Sequence, residues 1–188
     1  MTDVPSSPRI PPLTPEEQTP DQRELLESMG PRQSTMNIFT TLARHPGLFR
    51  RWMPFGGKLL QGGKLSARDR ELIILRTALR CDARYEWAQH VPIGRQAGLS
   101  DSEMRRVAEG PDAEGWSEED AALLRAVDEV HDDHRIGDAT WAALAARYTT
   151  EQLIEVPMLS GHYALLAGAL NSFGTQVERD DQPKLGEV

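Results

Sequence analysis

The sequence predicts an all-α protein folded as a compact helical bundle. Ser66, Ser100 and Ser117 are each followed three residues later by an acidic side chain, which is the pattern of a capping box at the start of a helix. Apolar residues then recur at helical spacing, as they do from Leu72 to Leu79. No segment alternates apolar and polar residues over a strand's length, so no strand is predicted.

The predicted helices lie between a proline-rich start and a charged end. Prolines at positions 5, 8, 11, 12 and 15 indicate a flexible arm over residues 1–19. A single domain is expected over residues 20–177, followed by a loose tail over residues 178–188. The predicted helices run from Asp21 to Met29, Met36 to Arg44, Pro46 to Met53, Ser66 to Cys81, Asp82 to Gly98, Ser100 to Gly110, Ser117 to Asp132, Asp138 to Ala145 and Thr149 to Phe173.

Three boundaries in this scheme rest on single residues. The glycine pairs 56–57 and 62–63 are predicted to flank a loop after the third helix. Asp82 is expected to cap the fifth helix with its side chain. Pro157 removes a backbone donor inside the last helix and is expected to kink it.

Composition indicates a soluble cytoplasmic protein. Twenty-one basic against 29 acidic residues leave a net charge of −8, which disfavours nucleic acid as a partner. The single cysteine, Cys81, excludes an intrachain disulfide. The first 20 residues lack an apolar core, so neither a secretory signal nor a membrane anchor is expected there.

The densest cluster of acid/base side chains lies on the fourth and fifth predicted helices. Glu86 and His90 are four residues apart and share one helical face. If the two helices fold back on each other near Cys81, Glu71 faces this pair. Two carboxylates and an imidazole, partly enclosed by Tyr85 and Trp87, would form a set of groups suited to proton transfer.

Simpler interpretations remain open for these residues and for the other histidines. Glu86 and His90 could form a surface pair of little energetic value. His131 and His134 are spaced to reach one metal ion, but a helix C-terminus also favours histidines and no third ligand is apparent, so no metal site is predicted. His162 lies in an apolar helix and either lines a cavity or is a hydrogen-bonded core residue.

The central motifs resemble those of a known family. RELIILR at residues 70–76, YEWAQH at residues 85–90 and the following GLS together resemble the core of the carboxymuconolactone decarboxylase family, which includes the AhpD-type alkylhydroperoxidases. The resemblance extends from about Met36 to the LLAGALNSFG segment. It implies an AhpD-like, all-α subunit with a helical-hairpin core that assembles into homotrimers or homohexamers.

The resemblance also implies roles for individual residues. Glu71 matches the glutamate that supports a CxxC pair in the thiol-dependent branch, and His90 matches the histidine after it. Ala83 and Glu86 stand at the two cysteine positions, so this chain resembles a branch that lacks the CxxC pair. Without those thiols the peroxidase cycle of relatives is not expected here.

The leading functional hypothesis is therefore a cofactor-free lyase of the decarboxylase type. It would act on a small carboxylated lactone or related ring metabolite, by decarboxylation or proton transfer. Glu71, Glu86 and His90 would be catalytic, while Tyr85, Trp87, Ala83 and His162 would line the pocket. The alternatives are a peroxiredoxin-like alkylhydroperoxidase, which needs a reactive thiol, and a non-catalytic oligomeric binding protein.

Overall fold

The computed structural model describes residue 5, residues 7–179 and residues 182–188. All of the regular secondary structure in these residues is helical. The all-α prediction is confirmed. The helices are α1 (Pro20–Glu27), α2 (Asn37–Leu42), α3 (Pro46–Gln61), α4 (Ala67–Arg80), α5 (Arg84–Gln96), α6 (Asp101–Glu109), α7 (Glu118–Asp133), α8 (Asp138–Arg147) and α9 (Thr150–Phe173), with a 3₁₀ helix at Gln33–Thr35 before α2.

Helix α4 lies at the centre of the bundle and packs against α5, α7 and α9. Its four consecutive residues from Leu72 to Leu75 are fully buried, because neighbours cover the helix on every side. Serine N-caps mark where α4, α6 and α7 begin, and of the three predicted capping boxes Ser100 and Glu103 form the reciprocal pair. The Ser66, Ser100 and Ser117 hydroxyls each accept a hydrogen bond from the backbone N–H three residues later.

Helix α3 differs from the prediction, because it continues through Gly56 and Gly57 to Gln61. The loop predicted at the first glycine pair is therefore wrong. A Cβ atom on Gly56 would lie 3.0 Å from Nε2 of His162 in α9, so the absence of a side chain lets the two helices approach closely.

The turn between α4 and α5 is closed by backbone rather than by a side-chain cap. Ala83 is the N-cap residue and makes no side-chain cap, so the predicted capping role of Asp82 is wrong. Asp82 instead adopts a left-handed conformation with φ of 49°, and the Ala83 N–H donates to the Ala78 carbonyl at 2.8 Å. The chain therefore reverses over the three residues 81–83 between α4 and α5.

Both terminal segments contact the bundle where they are described. Leu13 is buried with Leu26 and Ala43. In the C-terminal segment, the Glu187 carbonyl accepts a 2.8 Å hydrogen bond from the Trp87 indole. Residues 1–4 and 6 of the predicted arm, and residues 180–181 of the predicted tail, lie outside the described residues.

Helix α9 is long and apolar enough, by length and composition, to cross a membrane. Half of its 18-residue apolar window is buried inside the protein, where α9 packs against α4 and α7. It carries Pro157 within its span and ends at Gly174, whose φ of 68° satisfies the left-handed C-cap.

Candidate functional site

Glu71 and His90 meet where α4 and α5 pack together. Oε2 of Glu71 lies 2.7 Å from Nδ1 of His90, and the glutamate side chain is completely buried. Its other oxygen, Oε1, accepts a 3.3 Å hydrogen bond from Nε of Arg70. The antiparallel hairpin thus brings together the first two residues of the predicted set.

This contact fixes the orientation of the imidazole. In a neutral imidazole the nitrogen that faces a carboxylate carries the proton, so Nδ1 of His90 donates to Glu71. Nε2 is then the nitrogen with a free lone pair, available to a molecule in the adjoining cavity. A carboxylate that orients an imidazole in this way is a common arrangement for general acid/base chemistry.

Glu86 lies in the first turn of α5 and is 2% exposed. Neither of its carboxyl oxygens has a hydrogen-bond partner in the described part of the chain. Burial raises the pKa of Glu86 well above its ordinary value of 4.5, because desolvation penalises the charged form. Burial therefore favours the protonated form of Glu86, whose O–H can act as a hydrogen-bond donor.

A cavity of about 620 Å³ adjoins these residues. Glu86 and His90 line it from α5, His162 and Tyr163 from α9, and Arg70 from α4. Much of the remaining wall is aromatic. The aromatic side chains in the lining are Phe39, Phe49, Trp52, Tyr85 and Tyr163.

A series of ring contacts connects the two sides of this cavity. The rings of Trp52 and His162 are stacked, with centroids 5.7 Å apart and an interplanar angle of 16°. Tyr163 contacts both imidazoles edge-on, at 5.5 Å from His162 and 5.1 Å from His90. Burial lowers the pKa of His162, so its ring is neutral and adds no charge to the wall.

Tyr85 lines the cavity, but its hydroxyl is committed elsewhere. It donates a 2.6 Å hydrogen bond to Oε1 of Glu178 and accepts one from the Ile38 backbone N–H at 3.2 Å. Burial and the Glu178 carboxylate raise the pKa of Tyr85, so the phenol stays protonated. Tyr85 therefore contributes an aromatic surface rather than a free donor.

Ala83 and Trp87 are both buried, but neither is among the residues that line the cavity. Trp87 follows Glu86 by one residue and is turned by about 100° around the helix, which directs its ring into the core. Ala83 lies at the N-cap, before the first helical turn. Both belong to the main hydrophobic core.

The second group of candidate residues lies at the end of α7. His134 adopts a left-handed C-cap conformation, while His131 places Nδ1 3.7 Å from Sγ of Cys81. No group of three potential metal ligands occurs among the described residues. Burial raises the pKa of the Cys81 thiol to about 11, so the thiol is protonated and weakly nucleophilic at neutral pH.

Several cavity residues were not singled out from the sequence. Trp52 is typical of core filling at helical spacing, and Tyr163 lies in a nearly uniform apolar helix. Arg70 is one of many arginines in the chain. The sequence offers one signal for Tyr163, which is that it directly follows His162. Two adjacent ring side chains on α9 could reach the same site.

Comparisons with known proteins address the family and the fold. Residues 46–129 match the model of the carboxymuconolactone decarboxylase family. They span α3 to most of α7 and include Glu71, Glu86 and His90, so the resemblance predicted from the sequence is confirmed. No curated protein matches the chain.

Solved structures show that the AhpD-like fold extends beyond the matched region. An uncharacterized peroxidase-related protein with an alkylhydroperoxidase AhpD core from Ralstonia eutropha JMP134 is 20% identical with a TM-score of 0.78, covering 96% of this chain and 95% of that one. A putative antioxidant defence protein AhpD from Agrobacterium tumefaciens is 20% identical with a TM-score of 0.68. The match covers 74% of this chain and 96% of that one. The debrominase Bmp8, in complex with 2,3,4-tribromopyrrole, is 15% identical with a TM-score of 0.70. The match covers 90% of this chain and 91% of that one.

Proposed function

We propose that the protein is a cofactor-free acid/base enzyme, carboxymuconolactone decarboxylase-like in type, that acts on a small carboxylated lactone or a related ring metabolite. The observation that carries the proposal is the buried Glu71–His90 pair, joined at 2.7 Å beside a cavity that also holds the unpartnered Glu86. The Bmp8 complex, which holds a small brominated ring, supports a ring compound as the ligand of this fold.

The three residues would divide the chemistry between them. Nε2 of His90 takes a proton from the ring or returns one to it, while Glu71 holds the imidazole and stabilises its charged form. The protonated Glu86 donates a hydrogen bond to the oxygen on which negative charge develops. In a decarboxylation the ring–carboxylate C–C bond breaks, CO₂ leaves, its electron pair forms an enolate, and a proton from imidazolium completes the product.

A substrate screen with a matched variant tests this proposal. Small carboxylated lactones and related ring ketones are incubated with the wild-type protein and with a His90→Gln variant, and consumption is followed by absorbance and chromatography. Turnover by the wild-type protein alone supports acid/base catalysis at His90. Equal rates in the two proteins would refute it.

The main enzymatic alternative is peroxide reduction, which the AhpD-like neighbours suggest. That chemistry needs a reactive thiolate, and the family resemblance places Ala83 and Glu86 at the positions of the two cysteines. Since the pKa of Cys81 is raised, we expect intact-mass spectrometry after brief treatment with equimolar hydrogen peroxide to show unmodified protein. Rapid appearance of a sulfenic acid or an intermolecular disulfide at Cys81 would favour the peroxidase instead.

The alternative from another class is a non-catalytic binding protein that kept only the fold. It predicts an exposed Glu86–His90 pair without an adjoining cavity. Both side chains are instead buried beside a cavity. This favours the catalytic proposal. A carboxyl that is buried without a partner destabilises the folded protein, and such carboxyls are found more often at functional sites than elsewhere.

We also propose that the chain self-associates into a trimer or hexamer and works in the cytoplasm. Ile154, Met158 and Leu165 are 60%, 47% and 65% exposed along one face of α9, an apolar surface that a second copy could cover. Light scattering coupled to size-exclusion chromatography is expected to give three or six times the 21.0 kDa chain mass. A monomer at all micromolar concentrations would contradict the assembly.

A further inference from the structure

The cavity contains buried polar atoms that the protein itself does not satisfy. Both carboxyl oxygens of Glu86 and Nε1 of Trp52 are buried without a hydrogen-bond partner in the described part of the chain, and both residues line the cavity. Unpaired buried polar atoms are rare in folded proteins, because each loses its bonds to water without replacement. Two such residues in one cavity point to a ligand that completes their hydrogen bonds.

The chemistry of the two residues defines the group that they would bind. An indole N–H can only donate a hydrogen bond. Both carboxyl oxygens of Glu86 are buried without a partner, and burial raises its pKa, which favours the neutral carboxyl, whose O–H is also a donor. The complementary ligand atom is therefore an acceptor, such as a carbonyl oxygen, a lactone oxygen or a ring nitrogen.

The charges around Glu86 disfavour an anionic ligand group at this position. Desolvation accounts for the raised pKa of Glu86 and no cation offsets it. Two arginines line the cavity: Arg70 bonds to Glu71, and Arg32 is exposed to solvent. A carboxylate placed against Glu86 would thus lose its hydration without gaining an ion pair.

The cavity walls suit a flat molecule. Trp52 is held by stacking contacts with Phe49 and His162, with centroids 6.1 and 5.7 Å away. Tyr163 presents a further ring between the two imidazoles. Aromatic walls bind planar rings through stacked and edge-on contacts, and 620 Å³ is ample for a ligand of one or two rings.

We propose that the cavity binds an uncharged planar ring whose acceptor atoms pair with the Glu86 carboxyl and the Trp52 indole N–H. This proposal rests on the proposed acid/base function. It excludes decarboxylation from the two reactions considered above, because an uncharged ring has no carboxylate to lose. The reaction that remains is keto–enol proton transfer: His90 removes a proton from a ring carbon, the carbonyl π-electrons move to oxygen, and the proton is returned at the new position.

A matched pair of compounds tests the substrate class by binding alone. Coumarin is an uncharged planar lactone, and coumarin-3-carboxylate is the same ring with a negative charge at neutral pH. We expect coumarin to bind the wild-type protein at least about tenfold more tightly in isothermal titration calorimetry, since one unpaired buried charge outweighs a hydrogen bond. Equal or tighter binding of the carboxylate, or no binding of either compound at millimolar concentration, would overturn the proposal.

Variants of the two donors test the contact itself. Trp52→Phe and Glu86→Leu each remove a donor while keeping an apolar side chain, and each is expected to weaken coumarin binding by about fivefold to tenfold. Glu86→Gln keeps a donor and is expected to bind within about threefold of wild type. Trp141→Phe, at an exposed tryptophan outside the cavity, is the control and should have no effect. Unchanged binding in both Trp52→Phe and Glu86→Leu would overturn the proposal.

These measurements do not depend on turnover. If coumarin-3-carboxylate binds better than coumarin while His90→Gln abolishes turnover of a carboxylated lactone, the inference about ligand charge fails and the acid/base function stands. If coumarin binds as expected but His90→Gln turns over substrate at the wild-type rate, the function proposed for His90 fails and the binding mode stands.

Discussion

Replacing His90 with glutamine is expected to lower turnover by about 10²–10⁴-fold, the usual contribution of a general acid/base. The glutamine amide can still donate a hydrogen bond to Glu71, so the buried carboxylate keeps a partner. It has no nitrogen that titrates near neutral pH, so it cannot accept the proton that Nε2 of His90 would take. The loss is therefore expected in kcat more than in KM.

The measurement compares steady-state kinetics and thermal unfolding for His90→Gln and wild type. His131→Gln is the control, because His131 lies at the end of α7 and does not line the cavity. The double variant Glu71→Gln/His90→Gln should be only slightly less active than His90→Gln alone. If Glu71 acts through His90, its contribution is already lost when His90 is replaced. Additive losses would show that Glu71 acts independently of His90.

Most of the fold could be predicted from local sequence signals. The capping serines and the 3.6-residue periodicity place the helices, because both act over a few residues. Glycine was the least informative signal. Gly56 suggests a loop when considered alone, yet in the structure it lies within a helix. The His162 side chain leaves no room for a larger residue there, and His162 lies over 100 residues away in the sequence.

The candidate site was predictable in part for the same reason. Residues four apart on one helix, such as Glu86 and His90, share a face by helical geometry alone. The convergence of Glu71 on His90 required only that a short turn reverse the chain. Trp52 and Tyr163 could not be assigned in advance, since their position depends on how α3 and α9 pack against the hairpin.

Glu86 differs from its neighbours because no described residue of the protein compensates its burial. Glu71 is equally buried but has His90 and Arg70 as partners. A carboxyl without partners in the same cavity is a persistent cost to the folded state, and selection for stability alone would favour an apolar side chain there. This contrast is what separates a ligand-binding group from a structural ion pair.

Replacing Glu86 with glutamine is therefore expected to stabilise the protein, increasingly so as the pH rises. Above pH 4.5 the carboxyl of Glu86 is ionised in the unfolded chain, while in the folded state burial favours the protonated form up to the raised pKa. The unfolded state then binds fewer protons, so the free energy of unfolding falls with pH, by at most about 1.4 kcal/mol per unit. The decline ends above the raised pKa of the folded state.

The amide introduced by Glu86→Gln has no proton to lose, so the variant lacks this decline. The difference in unfolding free energy between Glu86→Gln and wild type should be small near pH 4.5 and grow through neutral pH, as measured by urea titration at a series of pH values. Glu109→Gln, at an exposed glutamate on α6, is the matched control and should show a small, nearly constant difference. A difference for Glu86→Gln that is flat with pH, or that favours the wild type as pH rises, would mean that the carboxyl is ionised in the folded protein and that the cavity supplies a cation to pair with it.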